Sequence, residues 1–168
     1  MVPGPTERLR FREYRDDDAA RVVEQFSDEQ AQRFFSDFNT EDMGSRWVAR
    51  MRERQREHGH SLWVLEALDD GRYLGDCGVL LQDVEGEAVL EVGYHLRAAE
   101  RGRGFAIEAA RHCLALAFDE LGAQEVGSLV HPDNEPSARV AGRLHRRERR
   151  VQWRTGDYRL FYTLSSAR

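Results

Sequence analysis

The stretch that decides the fold is Val89–Gly122, VLEVGYHLRAAERGRGFAIEAARHCLALAFDELG. Its first eight residues alternate apolar side chains with others, which is the period of a strand with one packed face. From Gly104 onward the apolar residues recur at helical spacing, and Gly122 follows as a left-handed C-cap. The stretch therefore predicts a strand, a short loop and a long helix. The strand places Leu90, Val92, Tyr94 and Leu96 on one face and Glu91, Gly93 and His95 on the other.

The loop in this stretch is Arg101–Ala106, RGRGFA. Gly102 and Gly104 permit a tight turn, and the first N–H groups of the following helix have no partner within it. With the helix dipole, such N–H groups form a diphosphate site, to which the two arginines add charge. The loop therefore predicts a cofactor with a nucleotide tail. A flexible strand-to-helix loop with solvated arginines is the alternative for these six residues alone.

The loop resembles the acetyl-CoA-binding motif of the GNAT N-acetyltransferases, whose Arg/Gln-x-x-Gly-x-Gly/Ala pattern is matched by Arg101, Gly104 and Ala106. The wider run EVGYHLRAAERGRGFAIEA and the later HPDNEPSARVAG are most similar to the branch that contains the ribosomal-protein N-terminal acetyltransferases RimJ and RimL. The resemblance implies an α/β fold, the GNAT acyl-CoA N-acyltransferase fold. Its mixed, mostly antiparallel sheet splays between two central parallel strands and carries helices on both faces. The implied cofactor is acetyl-CoA, bound by Leu96, Arg101, Gly102, Arg103, Gly104, Phe105, Ala106 and Asn134.

The rest of the pattern fits one domain over residues 1–168, a length that buries about 70% of the surface exposed by the unfolded chain. Because a helix connects the strand at 89–96 to the one that follows, these two strands are expected to run parallel. Further strands are predicted at 8–14, 61–68, 73–81, 125–131, 149–154 and 158–164. Further helices are predicted from Asp16, over 28–35, from Thr40 to about His58, and over 135–144.

Composition excludes several classes of protein. The net charge is −5 and every basic residue is arginine, which argues against a general nucleic-acid binder and favours a cationic substrate. Cys77 and Cys113 lie in apolar patterns, so both are expected to be buried thiols. His58 and His60 have no partners at metal-ligand spacing, so no metal is expected. Without a signal-peptide pattern or an apolar run long enough to cross a membrane, the chain is expected in the cytoplasm.

The segment Asn134-Glu135-Pro136-Ser137 starts a predicted helix. Asn134 is a good N-cap for the N–H of Ser137, and proline is tolerated in a first turn. That structural role alone would explain the segment. In the resembling family, however, this Asn-x-x-Ser faces the pantetheine arm. Ser137 is therefore implied to stabilise or protonate the departing thiolate, and Asn134 to hold the cofactor or its loop.

The open strand face offers two groups to deprotonate an acceptor amine, Glu91 and His95. Glu91 is the preferred base, acting through water, because Glu-x-Gly-Tyr recurs at this place in the resembling branch. A solvated or salt-bridged glutamate is the equal alternative. The resemblance further implies that backbone N–H groups near Leu96 polarise the thioester carbonyl.

The acceptor site is implied to lie against the two opening helices and the loop between them, as in the resembling family. The substrate contacts expected there are Phe34, Phe35, Phe38, Trp47 and His95, with core packing as the alternative for each aromatic ring. The expected reaction is direct attack of a protein or peptide N-terminal amine on acetyl-CoA in a ternary complex. A small-molecule amine (antibiotic, polyamine or amino acid) and a non-catalytic CoA-binding module are the alternatives. No nucleic acid or membrane partner is expected, and a homodimer is left open.

Two positions depart from the family pattern. Many members carry a tyrosine acid seven positions after the asparagine, where this chain has Ala141. The Leu-Gly-Phe-type turn that usually ends this helix is replaced by Leu144-His145-Arg146. Because a glycine cap is lost, the helix end or the next strand is expected to be irregular.

Overall fold

The computed structural model describes residues 1–36, 40–154 and 156–167. Within these residues the strands form one seven-stranded sheet in the order β1-β2-β3-β4-β5-β7-β6. All neighbouring strands are antiparallel except β4 and β5, which are parallel. The elements are β1 (Leu9–Arg12), α1 (Ala19–Gln25), α2 (Glu29–Gln32), α3 (Glu41–His58), β2 (Leu62–Ala67), β3 (Tyr73–Val84), β4 (Glu87–Leu96), α4 (Phe105–Asp119), β5 (Glu125–Val130), α5 (Glu135–Leu144), β6 (Arg147–Trp153) and β7 (Gly156–Leu164).

The sheet is covered by helices on both faces because its central strands are apolar on both. On β2, Trp63 and Leu65 pack in the cluster that contains the apolar side of α4. Leu62 and Val64 point the other way and pack with residues of α1 and α3. The predicted fold class is therefore confirmed, including the mixed sheet and the helices on both faces.

The parallel junction is short. Strands β4 and β5 pair only at Leu90 with Val126 and at Glu91 with Gly127, although β4 continues to Leu96. Just past the last pair, the Ser128 hydroxyl donates to the carbonyl of Val92 at 2.7 Å. Beyond this bond the two strands diverge without further ladder pairs among the described residues. We call the space between them the gap, and it is the splay that the family resemblance implies.

Helix α3 begins and ends where the sequence indicates. The Thr40 side chain accepts from the N–H of Met43, and Gly59 ends the helix with φ +75°. Inside the helix, a Cβ at Gly44 would lie 2.3 Å from the carbonyl oxygen of Ala19. Only glycine allows α3 to approach α1 this closely. This contact fixes how the two helices pack together over the face of the sheet that carries Leu62 and Val64.

The second predicted helix is shorter than expected. Its α-helical part is the single turn of α2, with Asp28 as N-cap accepting from the N–H groups of Gln30 and Ala31. Residues beyond this turn do not continue the helix, and Phe38 lies outside the described residues. The hairpin from β3 to β4 is longer than expected, because Glu85 and Gly86 both adopt positive φ and form a two-residue turn.

The expected irregularity after α5 is wrong. The helix ends at Leu144, and His145 takes an extended conformation that leads directly into β6. Strand β6 then pairs with β7 in unbroken register from Arg147 to Trp153. No left-handed cap is needed because the buried His145 ring fixes the helix end: Nε2 lies 3.0 Å from the Ser128 hydroxyl and Nδ1 lies 3.2 Å from the Thr163 hydroxyl.

The two cysteines are both buried free thiols, as predicted. Their sulfur atoms lie 3.7 Å apart between β3 and α4. Burial raises the pKa of the Cys77 thiol, which keeps it protonated and unreactive. Among the described residues, the helices include none with the length and apolar character that crossing a membrane requires.

Candidate active site

The cofactor loop, residues 101–106, has the backbone geometry of an anion site. Gly102 and Gly104 adopt left-handed conformations with φ of +76° and +83°, and both are exposed. No backbone N–H from Gly102 to Ile107 has a hydrogen-bond partner among the described residues. These N–H groups crowd at the start of the fifteen-residue helix α4, whose dipole adds partial positive charge. The loop can therefore bind a diphosphate through its backbone.

The two arginines of the loop differ in their contacts. Arg101 binds the Asp28 carboxylate through both terminal nitrogens at 2.8 and 2.7 Å, and its Nε donates to the carbonyl of Leu96. This ion pair lowers the pKa of Asp28 and ties the start of α2 to the cofactor loop. Arg103 donates to Glu100 at 2.8 Å, but its side chain is half exposed. Of the two, Arg103 is the more accessible to a ligand.

A third cation at the loop was missed by the sequence analysis. Arg8, beside the start of β1, donates to the carbonyl of Arg103 at 3.0 Å and pairs with Glu108 at 2.6 Å. Its guanidinium lies 4.6 Å from the centre of the Phe105 ring. A Cβ at Gly104 would lie 3.3 Å from its Nη2. Nothing in the local sequence signals this contact, because about a hundred residues separate the two segments.

The start of α5 places Ser137 beside Tyr94 of β4, the strand that borders the gap. The Asn134 side chain accepts from the N–H of Ser137 at 3.3 Å, which is the predicted N-cap. Ser137 Oγ lies 3.3 Å from the Tyr94 hydroxyl, which itself donates to the carbonyl of Ser137 at 2.9 Å. Burial raises the pKa of Tyr94, so the phenol stays protonated. Strand alternation placed Tyr94 on the packed face correctly, but it could not show that α5 lies above it.

Glu91 is less open than predicted, since the residue is only 8% exposed. Its carboxylate accepts from Gln82 Nε2 at 2.7 Å and from the N–H of Leu129 at 3.4 Å. The carboxylate therefore lies where β4 and β5 begin to part. Burial raises its pKa above the usual value for glutamate. The Glu91 side chain is therefore hydrogen-bonded to Gln82 and Leu129 rather than solvated.

His95 lies further along the same face, in a pocket of aromatic rings. Its ring centroid is 5.2 Å from Phe26, 5.1 Å from Phe35 and 5.8 Å from Trp47. On β3, the fully buried Asp76 lies opposite, with Oδ1 at 2.7 Å from His95 Nδ1. Sequence periodicity gave no reason to pair these two residues.

The structure thus brings three of the predicted acceptor contacts, Phe35, Trp47 and His95, into one cluster. Of the other two, Phe34 packs on His131 at 5.3 Å, just past the end of β5, and Phe38 lies outside the described residues. Among the residues that the structure describes, no group of His, Cys, Asp and Glu side chains could hold a metal ion. The site therefore consists of a backbone anion-binding loop, a gap between parallel strands, and side chains on both faces of β4.

Comparison with known proteins agrees with this geometry. The profile of the Acetyltransferase (GNAT) domain family matches residues 8–147. The chain is 33% identical over 140 residues to the uncharacterized protein YkkB of Bacillus subtilis (strain 168), covering 83% of this chain and 81% of YkkB. It superposes on an acetyltransferase (GNAT family) from Bacillus anthracis with a TM-score of 0.80 and 21% identity, covering 99% of each chain. It also superposes on RimL, a ribosomal-protein alpha-N-acetyltransferase in complex with coenzyme A, with a TM-score of 0.77, 11% identity and full coverage of both chains.

Proposed function

Because the chain belongs to the GNAT acetyltransferase family and is an N-acetyltransferase, we propose that it transfers the acetyl group of acetyl-CoA to the N-terminal amine of a protein or peptide. The observation that carries the proposal is the position of the gap. The gap lies between β4 and β5, and the cofactor loop with its free N–H groups follows the end of β4 that borders the gap. A cofactor held by the loop would direct its arm into the gap, where an acceptor approaching from the α1 and α3 side meets it.

The residues present fit the diphosphate of acetyl-CoA. Left-handed Gly102 and Gly104 turn several unpartnered N–H groups toward solvent, and Arg103 and Arg8 place two cations at the rim. Backbone donors and a helix N-terminus suit an anion of this kind. Arg101 contributes indirectly, since its guanidinium holds Asp28 and the end of β4 in place. When bound, acetyl-CoA supplies the activated acetyl group as a thioester.

The chemistry requires a neutral amine, a polarised carbonyl and an acid or donor for the thiolate. The unpaired main chain of β4 along the gap is positioned to polarise the carbonyl. Ser137, at the N-terminus of α5, donates to the sulfur as it departs, and the Tyr94 hydroxyl holds it there. The acceptor amine approaches from the opposite face of β4, which carries Glu91 and His95. Glu91 as the base stays a prediction.

A protein N-terminus is supported as acceptor by the shared fold with RimL, which is a ribosomal L7/L12 alpha-N-protein acetyltransferase. An incubation with acetyl-CoA, a library of peptides with free N-termini and a panel of small amines tests this acceptor. Mass spectrometry of the products is expected to find acetylated peptide N-termini. Acetylation confined to small amines would contradict the peptide acceptor, and CoA-binding without any product would contradict transfer itself.

We expect Ser137→Ala to lower kcat about 10- to 100-fold while the Kd for acetyl-CoA changes less than about twofold. The reason is that a hydrogen bond to a charged group contributes about 1.5–3 kcal/mol, and this bond forms only as the thiolate departs. Stopped-flow kinetics and calorimetry measure the two quantities. Ser27→Ala, which removes an exposed hydroxyl bonded to its own helix, is the matched control. The reverse pattern, weak binding with normal turnover, would leave Ser137 only a structural role at the helix start.

We expect Arg8→Gln to weaken acetyl-CoA binding about three- to tenfold, because one of the cations beside the diphosphate is lost. The difference from the unchanged protein should shrink as salt is added, since salt screens exposed charges. Arg10→Gln is the matched control, because Arg10 lies on the same strand but pairs with Glu66. Equal affinities for the two variants at low salt would remove Arg8 from the cofactor site.

A further inference from the structure

The pair His95 and Asp76 is set by the sheet itself. The two residues are directly opposite in the register of β3 and β4. Asp76 is fully buried and accepts from Tyr14 at 2.5 Å and from Gln25 at 3.1 Å, in addition to its 2.7 Å contact with His95 Nδ1. These partners come from three segments of the chain, the stretch between β1 and α1, helix α1 and strand β4, and together they fix the position of the carboxylate.

This arrangement decides which nitrogen of His95 carries the proton in the neutral ring. A carboxylate has only acceptor atoms, so Nδ1 must donate to Asp76. The lone pair of the neutral imidazole is then on Nε2, which is the arrangement that a general base requires. Asp76 is thus a positioning residue for His95.

Nε2 is accessible to a reacting molecule. It has no hydrogen-bond partner among the described residues, whereas every fully buried side-chain nitrogen or oxygen among them has one. Nε2 is therefore in contact with solvent. The rest of the ring is enclosed by Phe26, Phe35 and Trp47, and its side chain is 19% exposed. Among the described residues, the surroundings of this nitrogen are therefore mostly aromatic.

Glu91 on the same face is a weaker fit to this role. Its carboxylate is already bonded to Gln82, with a longer contact to the N–H of Leu129. It lies at the last ladder pair of β4 and β5, where the gap only begins. His95 lies four residues further along β4, past the divergence, where an amine can come alongside the open gap. Its position beside the gap and its Nε2 without a hydrogen-bond partner among the described residues both favour His95 over Glu91.

We propose that Nε2 of His95 takes the proton from the acceptor ammonium and that Asp76 holds the ring in the required tautomer. This inference rests on the proposed acetyl transfer. The ammonium gives one proton to Nε2, and its nitrogen then forms the C–N bond to the acetyl carbon. The nitrogen loses its second proton to solvent as the C–S bond breaks, and the thiolate takes one proton from solvent while Ser137 stabilises it. The imidazolium returns its proton to solvent, so an ammonium and acetyl-CoA give an amide, CoA thiol and one released proton.

The tautomer is tested without any acceptor. Long-range proton–nitrogen NMR spectra of the ¹⁵N-labelled chain distinguish the two neutral forms of each histidine. His95, identified by its absence in His95→Gln, is expected in the Nδ1–H form in the unchanged protein. In Asp76→Asn the amide of the new side chain can donate to Nδ1, and the signal is expected to shift to the Nε2–H form. An Nε2–H ring in the unchanged protein would overturn the proposal.

The proton transfer is tested with the best acceptor from the peptide and amine panel. His95→Ala is expected to lower kcat about 10²- to 10³-fold with the Kd for acetyl-CoA within twofold, since a positioned base contributes about 10²–10⁴. Added imidazole should raise the rate of His95→Ala at least about fivefold, because it can occupy the space that the side chain vacated. His58→Ala, at the exposed end of α3, is the matched control and should show no such rescue.

Three activity results decide the assignment. His95→Gln, which keeps much of the packing but cannot take a proton, is expected to be as slow as His95→Ala. A rate within threefold of the unchanged protein in both variants, or no rescue of His95→Ala by imidazole, would overturn the role of His95. A loss in Glu91→Gln that exceeds the loss in both histidine variants would return the role to Glu91. If the unchanged protein acetylates no acceptor, the transferase proposal fails while the NMR result still stands.

Discussion

Replacing Gly104 with valine is expected to weaken acetyl-CoA binding at least about a hundredfold. Gly104 has φ +83°, a conformation that costs a β-branched residue about 1–3 kcal/mol. The new side chain would also approach the Arg8 guanidinium. The loop would therefore change conformation and turn its N–H groups away from the diphosphate. A hundredfold loss corresponds to about 2.7 kcal/mol, which isothermal titration calorimetry resolves easily.

The matched control for this variant is Gly122→Val. Gly122 has φ +66°, so valine is strained there too, but it lies past the far end of α4. We expect Gly122→Val to lose stability while keeping its affinity for acetyl-CoA. If the two variants bound acetyl-CoA equally well, the backbone of the loop would have no part in cofactor binding.

The second large effect concerns stability in acid and depends on His145. Burial lowers the pKa of His145 to about 4, whereas an unfolded histidine titrates near pH 6.5. Below pH 6.5 the unfolded chain therefore binds a proton that the folded chain resists, and stability falls as pH drops toward 4. At 1.36 kcal/mol for each pKa unit, the full difference is about 3 kcal/mol. The contribution is present at neutral pH and is lost across this window.

Urea unfolding of the unchanged protein and of His145→Gln at pH 7 and pH 4.5 measures this effect. The variant is expected to be less stable at pH 7 and to lose less free energy of unfolding on acidification. His58→Gln, which changes a more exposed histidine, should follow the unchanged protein. Parallel pH dependence in all three chains would show that His145 does not contribute to the acid sensitivity.

Much of the fold is predictable because its signals are local. Strand and helix periods identify the central strand β4, the cofactor loop and helix α4, and the crossover rule makes β4 and β5 parallel. The end of α5 is different. The loss of a glycine at His145 predicts irregularity, yet the ring bonds to Ser128 and Thr163 on two other strands and fixes the helix end. Such long-range hydrogen bonds have no signature within a window of sequence.

The site divides in the same way. The glycines of the cofactor loop and the N-cap at Asn134 follow from local backbone chemistry. Arg8 and Asp76 could not be found, because each is brought to the site by a strand pairing or a packing contact far along the chain. Arg101 shows the complementary limit. Its place in the loop predicts a cofactor contact, and its side chain also pairs with Asp28, a residue 73 positions earlier, which no local signal indicates.

The short parallel junction also makes the sheet two blocks of strands, β1 to β4 on one side and β5, β7 and β6 on the other. Along the sheet, among the described residues, they are joined by two ladder pairs and the bond from Ser128 to Val92, and by side-chain contacts from Glu91 to Leu129 and from Glu85 to Gln152. A molecule lodged between the blocks bridges strands that the polypeptide leaves apart. Binding of such a molecule and the association of the two blocks are therefore coupled. We expect the middle of the sheet to be most rigid when the cofactor is bound and least rigid after the product has left.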